Sequence, residues 1–204
     1  MESPEAIEAE KLNEDINDLL NGKKAALPVF DFMEGAKIPN GRILEIAPDD
    51  VLIIEGIHAL NPQVVYPNEK FEKYSLYCTP LNEVTGDDGT RISSQLTRKL
   101  RRLIRDYYYR NADYALTFST WERVEKGGEK NIYPLTKNAD NIFNSALAYE
   151  YAVYSKHLNV IFKDITPDDP YFEKAKELFS AVLQFDCISE EYISQNSIIR
   201  EFIK

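Results

Sequence analysis

Thirteen residues near the middle of the chain, Arg98 to Arg110, read RKLRRLIRDYYYR. Six of the chain's 24 Lys and Arg side chains stand there beside one acid, Asp106, a local charge of +5, while the remaining residues sum to −15. Positive charge gathered at one place on an acidic protein is an arrangement that holds a polyanion such as a phosphate chain. Five of the six cations are arginine, whose planar fork matches phosphate oxygens better than an ammonium does. At helical spacing Arg98, Arg101, Arg102 and Arg105 fall on one side, and Leu96, Leu100, Leu103, Ile104 and Tyr107 on the other. The apolar side would anchor such a helix while the other presents a row of guanidiniums. Asp106 is the segment's single acid, within reach of Lys99 and Arg102. A solvated face is the bland account of any charge run, but the arginine bias and the shortage of acids favour an anion site.

Other side chains could share that chemistry. Asp31 lies between Phe30 and Phe32 in PVFDF. Its carboxylate could accept from sugar hydroxyls while a ring stacks on a base, although a turn aspartate beside core aromatics would look the same. Glu55 ends the run VLIIEG. It could hold Mg²⁺ through water or act on phosphate chemistry, or be a buried acid paired to a backbone amide. His58 reads as a structural polar residue at a helix start. Asp87 and Asp88 read as an acid pair at a helix N-terminus. Lys137, Asn138 and Asp140 in YPLTKNAD read as a polar turn before a helix, where capping is the simple role. No GxxxxGK[ST], GxGxxG, GxSxG or HExxH occurs in the 204 residues, and no nucleophile–base pair stands out.

These residues need elements to carry them. Ser3-Pro4-Glu5 looks like a helix start, with Ile7, Leu12, Ile16, Leu19 and Leu20 as the apolar stripe and Gly22 as the stop. Residues 27–32 and 42–46, joined through KIPNG, suggest a hairpin excursion over 27–47. Val51 to Ile54 is a continuous β-favouring run, the pattern of a strand buried on both faces, with Glu55 where open α/β sheets place ligands. Residues 74–78 and 160–162 are further candidate strands. Helices are expected over 90–109, 112–126, 139–157 and 170–185. That order indicates a single α/β domain with a parallel sheet. Cys78 and Cys187 fit no disulfide framework and no CxxC metal site, and their apolar neighbours suggest buried free thiols. No apolar run is long enough to span a bilayer. The net charge of −10 argues against general nucleic-acid affinity, although Tyr107, Tyr108 and Tyr109 beside the arginines could stack on RNA bases.

Several segments in order resemble the uridine kinase and phosphoribulokinase family, most nearly its larger bacterial uridine kinase-like members. They are ESPEAI, LLNGKKAALPVFDF, PDDVLIIEGIHALNP, RISSQLTRKLRRLIRDYYYRNA, the run W-x-x-V-x-x-G-G-E-K-x-I-Y-P, NADNIFNSALAYE and SIIREFI. The resemblance implies ATP-dependent phosphorylation of a pyrimidine nucleoside 5′-hydroxyl with Mg²⁺, in a cytoplasmic P-loop-kinase-like three-layer α/β fold. It also implies that Asp31 holds the ribose hydroxyls with Phe30 and Phe32 beside the base. Arg102, Arg105 and Arg110 would reach ATP and acceptor phosphates from lid helices over 90–126. Glu55 matches the strand-end acid, and Lys137 and Asp140 the family's TKxxAD turn. Two departures stand out. The P-loop strand and helix and the hydroxyl-activating aspartate, which precede ESPEAI in the family, are missing here, and Asn111 replaces a glycine. Because phosphoryl transfer rests on positioning and charge neutralisation by the P-loop and Mg²⁺, the chain alone is expected to lack kinase activity. An unfilled slot in the sheet is expected to drive self-association. The alternative is a non-catalytic nucleotide- or phosphate-binding or interaction module derived from the kinase.

Overall fold

A computed structural model describes residues 2–31, 36–66, 68, 70–81, 84–86, 89 and 91–204. Two compact units are present, Met1–Tyr77 with Arg123–Asn141, and Cys78–Glu122 with Ile142–Lys204.

In the first unit Pro4–Ala6 forms a 3-10 turn, and α1 (Ala9–Leu20) follows. Ser3 precedes the turn without making a side-chain cap, so the helix begins later than Ser3-Pro4 suggests. Burial of Leu19 and of Asn13 fixes α1. The Asn13 amide donates to Ala9 O at 2.6 Å and Val64 O at 2.8 Å, and accepts from Tyr66 N at 2.8 Å. A buried amide with its groups satisfied ties residues 64–66 to the helix. Gly22, at φ 75°, ends it.

Strands β1 (Ala25–Asp31) and β2 (Ala36–Leu44) pair antiparallel from Ala25 opposite Leu44 to Asp31 opposite Ala36. The register shifts between Ala26 and Pro28. Gly41, at φ 71°, supplies the backbone that such a bulge requires. Pro28 faces Pro39, which a two-stranded ribbon tolerates because each strand has an open edge.

The run Val51–Glu55 joins no strand among the described residues. Val51 and Ile53 are each 84% exposed, which corrects the expected doubly buried strand. Propensity for strand is realised only through neighbours, and the described strands occur in two sheets of two. The second of these pairs β3 (Leu76–Thr79) with β4 (Asn141–Asn144). Ser75 O accepts from Asn141 N, and Thr79 O from Ser145 N. The two strands advance in step, so the pair is parallel. The chain is therefore α/β with helices and a small parallel sheet. Residues 139–157, expected to be one helix, contain β4 and then α4 (Glu150–Ile161). Residues 160–162, expected as a strand, are the end of α4 and its cap, since so short an apolar run fits either period. Cys78, in β3, and Cys187 are exposed free thiols, not the buried ones expected.

The second unit is built round α4. Nine of its twelve residues are buried, so apolar partners must surround it. They come from α2 (Ser94–Tyr109), the N-terminal part of α3 (Tyr114–Asn131), α5 (Phe172–Val182) and the turn at Ile198–Glu201. Leu100, Leu103, Ile104, Phe118, Tyr154, Leu158, Leu178, Val182 and Ile199 form the cluster. His157 is buried within it, with Nδ1 2.9 Å from the Tyr108 hydroxyl and Nε2 3.5 Å from a Glu190 carboxylate oxygen. Burial holds its imidazole below the ordinary pKa, against the pull of Glu190 and with a smaller push from Lys156. Below about pH 6.5 the unfolded chain takes up a proton that the folded one resists, so stability rises with pH there. Urea unfolding followed through Trp121, the sole tryptophan, is expected to give a lower midpoint at pH 5.5 than at pH 7.5. His157 should contribute at most about 1.4 kcal/mol per pH unit to that slope, and His157→Gln should reduce it, leaving the share of His58. Glu190, held below its ordinary range by Lys156, loses its contribution only at more acid pH.

Candidate functional site

Helix α2 carries the arginine segment. Ser93 caps it, its hydroxyl accepting from Leu96 N at 3.1 Å. Asp87 and Asp88 lie outside the described residues. The apolar side packs as the spacing predicts, with Leu100, Leu103 and Ile104 fully buried. The basic side differs from a uniform row.

Arg101 is buried. Its Nε donates to Glu150 Oε2 at 2.8 Å and its Nη2 to Glu150 Oε1 at 3.2 Å and Ser145 O at 2.7 Å. Glu150, 0% exposed, also accepts from the Tyr154 hydroxyl at 3.1 Å and Leu147 N at 3.3 Å. Burial works against the Arg101 charge, but the Glu150 carboxylate outweighs it and the pKa lies above the ordinary value. Desolvation and Glu150 together drive the Tyr154 phenol far upward. Arg101 thus serves packing rather than a ligand.

Asp106 is a second hub. Its carboxylate lies 3.2 Å from Arg102 Nε and accepts from Arg110 Nη1 at 3.0 Å. Thr117 Oγ1 stands 3.4 Å away. The Asp106 carbonyl accepts from the backbone N–H groups of both Arg110 and Ala112. That turn needs Asn111 in the left-handed region, at φ 50°, where asparagine is better tolerated than most residues. Arg105 donates to Glu201 at 3.2 Å and lies 5.9 Å from the centre of the Phe202 ring, over which Arg101 also sits at 5.3 Å. The expectation of a row short of acids is therefore corrected. Asp106 pairs with two of the arginines within the helix, and Glu150 and Glu201 arrive from 49 and 96 residues away. Side-chain exposure still rises along the helix, 17% at Arg102, 29% at Arg105 and 37% at Arg110.

Tyr108 and Tyr109 are engaged as well. Tyr108 packs edge-on against Tyr107 and His157, and the Tyr109 hydroxyl donates to Ile203 O. Tyr108 is thereby tied to the core, whereas Tyr109 remains 54% exposed.

In the first unit Phe30 and Asp31 end β1, opposite Lys37 and Ala36 of β2. Phe30 is exposed and Asp31 half-buried; Phe32 lies outside the described residues. Glu55 is exposed, and His58 is buried, its imidazole held below the ordinary pKa by burial and partly restored by Glu2. Lys137 is exposed in the 3-10 turn Tyr133–Asn138. Asp140 does not cap a helix. Its carboxylate accepts from Ser75 N at 2.7 Å, fixing the entry to β3. No group of three or more His, Cys, Asp or Glu is arranged to hold a metal among the described residues. A lone carboxylate such as Glu55 is nevertheless the donor Mg²⁺ takes when phosphates and water complete its shell. Among the described residues no helix is long and apolar enough to cross a membrane.

Residues 1–84 match the Phosphoribulokinase / Uridine kinase family. This range holds Phe30, Asp31 and Glu55, and α2 lies beyond it. The chain is 24% identical over 138 residues to a uridine kinase of Ureaplasma parvum serovar 3, covering 67% of this chain and 58% of that protein. It is 28% identical over 145 residues to a uridine kinase of Saccharomyces cerevisiae, covering 71% of this chain and 26% of that one. A shorter match, 30% over 63 residues, covers 31% of this chain and 9% of the inorganic pyrophosphatase TTM2 of Arabidopsis thaliana. The chain thus matches less than two thirds of the length of each relative. The relatives with the longer matches are named as uridine kinases. Over residues 1–84 the chain is similar to the phosphoribulokinase and uridine kinase family.

Removing Glu150 would strand a buried guanidinium, a loss that typically costs about 3–5 kcal/mol. Glu150→Ala is expected to lower unfolding stability by that order in a denaturant titration followed through Trp121. Glu201→Ala, at an exposed pair, should cost under about 1 kcal/mol.

Proposed function

We propose that the chain is part of a uridine kinase-like nucleoside kinase, the complete protein transferring a phosphoryl group from ATP to the 5′-hydroxyl of a pyrimidine nucleoside. The observation that carries this reading is the match of residues 1–84 to the family. Asp31, at the end of a hairpin strand beside the exposed Phe30, would accept from ribose hydroxyls, with Phe30 and Phe32 against the base. Arg105 and Arg110, the more exposed of the paired arginines, would hold phosphates with Arg102, and Lys137 is a phosphate-binding candidate of the other unit. Glu55 would hold Mg²⁺ through water. The ion would supply charge neutralisation to the phosphate oxygens.

These 204 residues contain no GxxxxGK[ST] segment, and positioning by that loop is the larger part of such catalysis. The chain by itself is therefore expected to bind without turning over. In a coupled ATP-consumption assay with uridine and cytidine, turnover should stay far below about one per second, where typical kinase values begin. Titration calorimetry should detect uridine binding that Asp31→Asn weakens, and tripolyphosphate binding that Arg102, Arg105 and Arg110 substituted together abolish. Turnover near that rate, or binding indifferent to these residues, would overturn the reading. Val51, Ile53 and Ile57, all exposed, would also recruit a second copy. Light scattering should then show a mass that rises with concentration, and a clean monomer throughout would count against it.

A further inference from the structure

Glu201 sits where an incoming anion would bind. Its carboxylate accepts from Arg105 at 3.2 Å and is itself 56% exposed. The pair is not a chance meeting of two flexible side chains, because the turn that carries Glu201 is fastened on both flanks. Ser197 caps its start, its hydroxyl accepting from Ile199 N at 3.4 Å. Arg200 Nη2 donates to Glu190 O at 2.8 Å and Ile193 O at 2.7 Å. Ile199, Phe202 and Ile203 are buried in the core cluster, and the Tyr109 hydroxyl, from α2 itself, donates to Ile203 O. The Phe202 ring lies under the guanidiniums of Arg101 and Arg105. One short turn therefore supplies both a surface for Arg105 to rest on and a carboxylate to neutralise it. Among the paired arginines the partners differ in kind. Glu150 and the Asp106 carboxylate are buried, whereas Glu201 is solvated and can leave at little cost.

We propose that Glu201 is an internal competitor for phosphate: it occupies Arg105 in the unliganded protein, and a phosphate chain binds by displacing it. The idea rests on the proposed phosphate role of the arginines and adds the residue that sets their affinity. Displacement leaves the fold intact, because the anchors of the turn do not involve the Glu201 carboxylate. Competition from one exposed ion pair, converted at tenfold per 1.4 kcal/mol, weakens binding by about two- to fivefold.

The test is calorimetric titration of the full chain with inorganic tripolyphosphate at fixed ionic strength. Glu201→Gln is expected to tighten binding by about two- to fivefold. Glu173→Gln, which removes a charge from an exposed acid on α5 paired with Lys176, should leave it unchanged. Arg105→Gln should weaken binding, and adding Glu201→Gln to it should produce no further change, since the competitor then has nothing to occupy. Thermal unfolding of each variant verifies that the fold is kept. Equal affinity of Glu201→Gln and the parent overturns the proposal, as does tightening that persists without Arg105. If tripolyphosphate binds through the arginines but ignores Glu201, the competitor falls while the phosphate site stands. If neither parent nor Glu201→Gln binds tripolyphosphate, both fall.

Discussion

The buried Arg101–Glu150 pair is the constraint from which the second unit follows. Helix α2 must bury Leu100, Leu103 and Ile104 while carrying five arginines and a lysine within thirteen residues. A single helix cannot turn all those cations to water and still bury the face that packs. Arg101 falls on the border of the buried face, so its charge enters the core and must be met there. Glu150, the first residue of α4, meets it with both carboxylate oxygens, and Ser145 O, Leu147 N and the Tyr154 hydroxyl complete the shell. With every polar group answered, the desolvated pair becomes tolerable and fixes the register of α2 on α4.

That solution sorts the remaining arginines. Asp106 stands one turn beyond Arg102 and one turn before Arg110, so a single carboxylate orients both. Its backbone carbonyl closes the helix through Asn111. Side chains held in this way keep their charge yet lose little rotamer freedom when a ligand arrives, which is the advantage of a preorganised site. Exposure rises from Arg101 toward Arg110. The helix thus passes from a purely structural end to one open to water within nine residues.

Much of this was legible from residue types and spacing. The range of α2, its apolar stripe and the likeness to the uridine kinases all rest on patterns local in sequence. What could not be read was which acids would meet the arginines. Glu150 and Glu201 lie 49 and 96 residues from their partners, and nothing in a single sequence connects them, although both fall within segments that resemble the family, NADNIFNSALAYE and SIIREFI. Asp106 was visible, and its spacing to Arg102 and Arg110 is that of helical neighbours. The strand expected at Val51–Ile54 failed for a different reason. Its residues describe a strand covered on both faces, but a strand exists only with its neighbours. Four apolar residues without a ladder remain a conflict between local preference and the surrounding fold, the kind found where a partner or function intervenes.

Electrostatics at two distances bear on whether an acidic chain would hold an anion. The −15 carried outside Arg98–Arg110 opposes the approach of a phosphate chain from afar. At physiological salt that field is screened over about 8 Å, so it affects encounter more than the bound state. Within contact distance, Asp106, Glu150 and Glu201 are acids that touch the guanidiniums. Two of those acids are buried and cannot leave, and they hold Arg101, Arg102 and Arg110 in place. The third, on an anchored turn but with its carboxylate in water, can give way. The net field therefore reports little about binding. On the proposed reading, the division between fixed and displaceable acids would decide where on the helix an anion settles, and Arg105 would be that point.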